Sequence, residues 1–297
     1  MSSEQFAQVG DVQIAYETMG DPSDPPMLLV MGLGMQLIHW PDELCAKLVE
    51  RGFFLIRFDN RDAGHSTQID APAPNLRRAF AGLRIESAYK LRHMAGDAFG
   101  LMDHLGVQAA HLVGVSMGGM IAQQMAIEHP ERVLSLASIM STTGERRVGR
   151  PKLRLWALMT RPAPRERDAY IEYFVRLFRA IGSSKRYPAN ESMIREEAAR
   201  TYDRGYHPAG TSRQLGAIIA SGDRTDRLRD VRVPTVVVHG RSDPLVPFRG
   251  GAATARAIPD ARLVAIDGMG HDLPPEVWPT IVDAVVENAA RAAAPVA

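Results

Sequence analysis

Short continuous runs of apolar residues recur along the chain, separated by stretches in which apolar positions return every three or four residues. Met27–Met31, Phe53–Phe58, Leu112–Val115, Val133–Ile139, Thr235–His239 and Arg262–Ile266 read as strands. Unbroken apolar runs of this kind are the mark of strands buried on both faces of a parallel sheet. Between them lie helical patterns. Pro41-Asp42-Glu43 opens one, with Leu44, Leu48 and Val49 on one face. Leu91–Leu105 carries Leu91, Met94, Ala98, Leu101, Met102 and Leu105 at helical spacing, and Met120–His129 and the stretch near Gly251–Ile258 follow. A last helix has Val277, Ile281, Val282, Val285 and Val286 on one side. At the start, Phe6–Val9 and Val12–Tyr16 flank Gly10-Asp11, a two-residue hairpin signal. The alternation predicts an α/β fold, a mostly parallel central sheet with helices on both faces.

The alternation stops between about Thr143 and Leu228. Helical patterns occupy Leu153–Met159, Ala169–Ile181, Met193–Tyr202 and Leu215–Ala220, punctuated by prolines at 162, 164, 188 and 208. This stretch is expected to be a helical cap, residues 143–228, inserted into a core made of 1–142 and 229–297. A chain of 297 residues suits one α/β domain with such an insertion. An insertion of this size must bury its apolar stripe against something, and Trp156, Leu158, Met159, Phe174, Leu177, Phe178 and Met193 supply the bulk. The cap is expected to set selectivity, while the reacting groups come from the core.

Open parallel sheets place their sites at the carboxyl ends of strands. After the strand ending at Val115 comes Gly114-x-Ser116-x-Gly118, the nucleophile-elbow pattern. A serine at a sharp strand-to-helix turn is held strained with its hydroxyl exposed, and the residues two before and two after pass too close for a side chain. Met117 begins the helix, so its backbone N–H is free to face an anion. After Thr235–His239 comes Gly240-Arg241-Ser242-Asp243-Pro244, and after Arg262–Ile266 comes Asp267-Gly268-Met269-Gly270-His271. Ser116, Asp243 and His271 thus stand at three strand ends in the order Ser, Asp, His. Asp267 and Asp272 compete with Asp243 for the acid's place. The other histidines fit less well: His39, His65, His93, His104, His111 and His129 precede or flank the elbow, His207 lies in the cap and His239 is inside a strand end.

Composition narrows the partners. The net charge of +1 argues against general nucleic-acid binding. The charge is uneven: residues 145–229 carry 19 Lys and Arg against 10 Asp and Glu, leaving 16 against 24 elsewhere. That excess suits either a solvated helical face or attraction to anionic substrates or surfaces. The single cysteine, Cys45, excludes an internal disulfide framework. No histidine pair has metal-ligand spacing with a carboxylate partner, so no metal is expected. Gly32-x-Gly34 lacks the third glycine and the downstream acid of a dinucleotide loop, so no cofactor is expected either. Met1–Gln5 has no charged start or apolar run, and no apolar stretch approaches the roughly 18 residues of a membrane span. The expected compartment is the cytoplasm.

The elbow, the acid and the histidine resemble the α/β-hydrolase superfamily over nearly the whole chain. More closely, His39-Trp40-Pro41-Asp42-Glu43, Ile56-Arg57-Phe58-Asp59-Asn60-Arg61-Asp62 and Gly268-Met269-Gly270-His271-Asp272-Leu273-Pro274 resemble the group of aclacinomycin methylesterase and bacterial carboxylesterases. The chain has Met31-Gly32 where many relatives have His-Gly. The resemblance implies hydrolysis of a small-molecule carboxylic ester without a cofactor: Ser116 as nucleophile, His271 as base, Asp243 as its orienter, and the N–H groups of Leu33 and Met117 as the oxyanion hole. The same groups would also serve a thioesterase or phospholipase on an anionic acyl substrate, or a cofactor-free perhydrolase. A hydrolase-like fold can also serve as a non-catalytic ligand receptor.

Overall fold

Most of the apolar runs become strands that bury both faces at once; Arg262–Ile266 is the exception, an edge strand in which only Ile266 is buried and Leu263 is 39% exposed. The computed structural model describes residues 3–76, 78, 85–149, 155 and 164–293. β1 (Gln5–Val9) and β2 (Val12–Met19) form the expected hairpin, turning at Gly10 with φ +53°. β3 (Pro26–Val30), β4 (Phe54–Phe58), β5 (Ala110–Val115), β6 (Val133–Ile139), β7 (Thr235–Gly240) and β8 (Arg262–Ile266) follow. They make one eight-stranded sheet in the order β1-β2-β4-β3-β5-β6-β7-β8. β1 and β2 run antiparallel to their neighbours and the other pairs are parallel.

The period of two along each strand sorts its side chains into two layers. Leu28 and Val30 of β3 and Leu112 of β5 face one layer, shared with α2 (Leu91–His104) and α3 (Met117–Glu128). Met27 and Leu29, with Val113 and Val115, face the other, shared with α1 (Asp42–Val49) and the carboxyl-terminal helix (Trp278–Ala293). Burying one such side chain fully is worth about 1.5–3 kcal/mol, so a slip of one residue along a central strand is costly. α3 starts at Met117, the residue the elbow pattern sets at its head, and is buried along almost its whole length.

Between β6 and β7 the described residues contain no strand. They form α4 (Arg167–Ile181), α5 (Glu191–Gly205), α6 (Pro208–Ser221) and the short α7 (Thr225–Leu228). The helix expected over Leu153–Met159, with Trp156, Leu158 and Met159, lies outside the described residues. α4 and α5 close a small aromatic core around Tyr170, Phe174 and Ala198, with Phe174 stacked on Phe178 at 4.4 Å between ring centroids. Met193 points outward instead and is 55% exposed. α6 and α7 join the main core through Ala217 and Leu228. α8 (Phe248–Ala257) and the carboxyl-terminal helix, α9, complete the chain.

Candidate active site

β5 delivers Ser116 into the turn before α3. Its backbone sits at φ +56°, ψ −117°, a conformation that costs an ordinary residue on the order of 1–3 kcal/mol. The surroundings enforce it. Ser116 N–H donates to the Ile139 carbonyl at 2.9 Å, and Ser141 Oγ donates to the Ser116 carbonyl at 2.8 Å. A Cβ on Gly114 would lie 2.3 Å from the Gly118 oxygen, and one on Gly118 would lie 1.9 Å from the Val30 oxygen. The two glycines of the pattern are therefore demanded by backbone-to-backbone approach.

The ends of β7 and β8 bring the partners. His271 Nε2 is 3.0 Å from Ser116 Oγ, and His271 Nδ1 is 2.7 Å from Asp243 Oδ2. A carboxylate only accepts, so the imidazole carries its proton on Nδ1 and turns the Nε2 lone pair to the serine hydroxyl. Asp243 is fully buried, and its other oxygen accepts the Leu245 and Val246 N–H groups at 2.9 and 2.8 Å. The competing acids are placed elsewhere. Asp267 forms an exposed ion pair with Arg241 at 2.9 Å. Asp272 accepts from Ser183 Oγ at 2.6 Å and from Ser183 N–H at 3.1 Å, and burial raises its carboxyl above the usual range.

Of the other two predicted positions, Met117 follows the serine in the chain and Leu33 follows Gly32, which packs against it. Met117 is the first residue of α3, so its N–H has no carbonyl to meet within the helix. Gly32 lies against the serine, where an added Cβ would come within 3.3 Å of Ser116 Cβ, and Leu33 follows it in a turn closed by Met35 N–H on the Gly32 carbonyl at 3.2 Å. The five predicted positions thus converge on one edge of the sheet. Among the described residues, no group of three His, Cys, Asp or Glu side chains is placed to hold a metal ion, and no helix is long and apolar enough to cross a membrane.

Several supporting residues carry no local signal in the sequence. His239, fully buried, approaches Val246 O to 2.8 Å and Asp243 Oδ2 to 3.6 Å through Nε2, bracing the acid's loop. Burial lowers its pKa below the ordinary histidine value. The end of α4 and the chain just after it, between β6 and β7, reach the histidine loop as well. His271 N–H donates to the Ile181 carbonyl at 2.8 Å, and Gly270 N–H donates to Ser183 Oγ at 2.9 Å. The stretch from Asp59 to Ser66 is a second hub. Asp59 accepts from Leu37 N–H at 2.6 Å, His65 N–H at 2.9 Å and Arg204 Nη1 at 2.7 Å. Asp62, at φ +68°, accepts Arg213 twice, at 2.6 and 2.9 Å, and Tyr89 OH at 2.7 Å.

The family model for the alpha/beta hydrolase fold matches residues 25–276. Rhodomycin D methylesterase DnrP of Streptomyces peucetius is 29% identical over 296 residues, covering 93% of this chain and 94% of that protein. A putative carbamate hydrolase, RutD of Pseudomonas savastanoi pv. phaseolicola, is 29% identical over 258 residues, covering 84% of this chain and 88% of that protein. Among solved structures, the enol-lactonase from Burkholderia xenovorans LB400 is similar with a TM-score of 0.75 at 21% identity, over 96% of this chain and 100% of that one.

Proposed function

The chain belongs to the alpha/beta hydrolase fold family, and within it we propose that the protein is a serine hydrolase of small-molecule carboxylic esters, working through an acyl-enzyme intermediate. The observation that carries this reading is the continuous hydrogen-bonded path from Ser116 Oγ through His271 to the buried Asp243. Similarity to a methylesterase over nearly the whole chain supports an ester as the substrate.

In the first step Ser116 Oγ attacks the ester carbonyl while His271 Nε2 takes its proton. Asp243 holds the imidazole in the productive tautomer and stabilises the imidazolium. The N–H groups of Met117 and Leu33 receive the oxyanion of the tetrahedral intermediate; one such donor is typically worth about 3–4 kcal/mol. His271 then returns the proton to the leaving alcohol. Water, activated by the same nitrogen, releases the acid and restores the serine.

The inserted helices, residues 143–228, act in this reading as a cap that shapes the acyl and alcohol pockets. Part of their arginine excess is answered by acids of the core: Arg204 pairs with Glu4 and Asp59, and Arg213 with Asp62. The test of the reading is Ser116→Ala, assayed on p-nitrophenyl acetate, with labelling of the wild type by a fluorophosphonate. The variant is expected to stay folded, lose turnover and escape labelling. Turnover above a few per cent of wild type, a barrier raised by less than about 2 kcal/mol, rejects Ser116 as nucleophile.

A further inference from the structure

The turn that carries Leu33 is held from an unexpected side. Gly34 N–H donates to Gln214 Oε1 at 2.7 Å, and Gln214 belongs to α6 of the insertion. Its side chain is completely buried, and its amide nitrogen donates to the Arg61 carbonyl at 2.8 Å. The amide therefore has a fixed orientation, acceptor toward Gly34 and donor toward Arg61. Gly34 stands at φ +69°, and a Cβ there would come within 2.8 Å of Thr211 Oγ1 on the same helix. The loop thus rests directly on α6. Its continuation is gripped by α5: Gln36 Nε2 donates to the Thr201 and Gly205 carbonyls at 2.9 Å each, and Gln36 Oε1 accepts from Arg204 at 2.9 Å.

We propose that Gln214 is a positioning residue for the oxyanion hole. By taking the Gly34 N–H it fixes the peptide adjoining Leu33, and so aims the Leu33 N–H at the place of the substrate oxygen in the tetrahedral intermediate. The proposal rests on the reading of Ser116 as nucleophile with Leu33 and Met117 as oxyanion donors. A hydrogen-bond donor displaced by a fraction of its bond length still leaves the pocket open to substrate. The loss should therefore fall on the transition state and spare ground-state binding.

Gln214→Met keeps the length of the side chain and removes the acceptor. For p-nitrophenyl acetate, kcat is expected to fall about 10- to 100-fold, with KM within about threefold of wild type. The inhibition constant of a trifluoromethyl ketone analogue should rise by the same factor as kcat/KM falls, because its hemiketal oxygen occupies the same hole. A role in stability alone would lower the melting temperature without that parallel. Gln214→Glu, its buried carboxyl protonated against the Arg61 carbonyl, retains both an acceptor for Gly34 N–H and a donor to Arg61, and should keep kcat/KM within about fivefold of wild type. A folded Gln214→Met with unchanged kcat and unchanged inhibition overturns the proposal. So does an equal loss in both variants, because only Gln214→Met removes the acceptor for Gly34 N–H. If Gln214→Met does not fold, Gln214→Glu decides alone by the same two measurements, a loss of about tenfold or more counting against the proposal. Failure of the underlying reading looks different: the wild type itself would neither turn over the ester nor bind the analogue.

Discussion

Asp243→Asn is a change whose consequence the geometry dictates. Asp243 Oδ1 accepts two backbone N–H groups, from Leu245 at 2.9 Å and Val246 at 2.8 Å, while Oδ2 faces His271 Nδ1 at 2.7 Å. An amide has one accepting end and one donating end. Turned the wrong way, it would set its NH2 against two backbone donors and leave both unsatisfied, at about 1–3 kcal/mol each. The oxygen therefore stays with the backbone and the NH2 faces His271. The imidazole must then offer a lone pair at Nδ1, and its proton moves to Nε2, pointing at Ser116 Oγ. The shape of the site survives and the base is lost. In serine proteases an inverted tautomer of this kind costs about 10⁴ in kcat. At about 1.36 kcal/mol per decade that is roughly 5 kcal/mol of barrier. The assay is kcat and KM for p-nitrophenyl acetate, with Ser116→Ala as the blank and circular dichroism as the check on folding. KM should change little. A variant retaining more than about a tenth of wild-type kcat refutes the assignment. A loss of the predicted size in Asp272→Asn or Asp267→Asn, with Asp243→Asn spared, shows that the wrong carboxylate is named.

Two further expectations concern stability. Arg213→Met strips the fully buried Asp62 carboxylate of its cation and should cost about 3–5 kcal/mol in urea unfolding, with part recovered in Asp62→Asn/Arg213→Met; a cost below about 1 kcal/mol means that the pair does not anchor α6. Burial lowers the His111 pKa to about 4 from its ordinary 6.5. The unfolded chain therefore takes up this proton first as pH falls. The contribution is complete above about pH 6.5 and is lost between there and about pH 4, about 3 kcal/mol at most. Gln at position 111 does not titrate, so the stability advantage of wild type over His111→Gln should shrink by about that amount between pH 7 and 4, and an advantage that is constant or grows on acidification contradicts the reasoning.

Strands and helices of the core were legible because their signals are local. A continuous apolar run such as Val133–Ile139 has few other places to go, and the observed strand has those bounds. The elbow was legible for the same reason, since Gly114 and Gly118 answer to backbone atoms within the turn or on the adjoining strand. The choice among Asp243, Asp267 and Asp272 was not, because all three follow strands on one edge and only side-chain direction separates them. The loop from Asp59 to Ser66 is rich in polar residues because its carboxylates bind backbone N–H groups and two arginines; Asp59, Asn60 and Asp62 are all buried. Gln214 and Ser183 left no trace at all. A glutamine on an amphipathic helix looks like a solvated position, and the groups these two residues meet lie 180 and 87 positions away in the chain.

These missed contacts alter what the helices between β6 and β7 can do. One side of them holds the His271 loop through the Ile181 carbonyl and Ser183, and Ser183 is itself held by Asp272. The other side holds the loop that carries Leu33 through Gln214 and Gln36, and grips the core through Arg204 on Asp59 and Arg213 on Asp62. Each neutral hydrogen bond is worth only about 0.5–1.5 kcal/mol net, but a rigid outward swing would have to break them together and strand two buried carboxylates as well. Such a swing would also release the groups proposed to receive the oxyanion and to move the proton. The sequence suggests a division of labour, with chemistry in the core and selectivity in the insertion. The contacts tie the two together. A substitution in α5 or α6 made to reshape a pocket acts on the same loop that carries Leu33, so its effect on kcat cannot be separated from its effect on specificity unless the contacts of Gln36 and Gln214 are left intact.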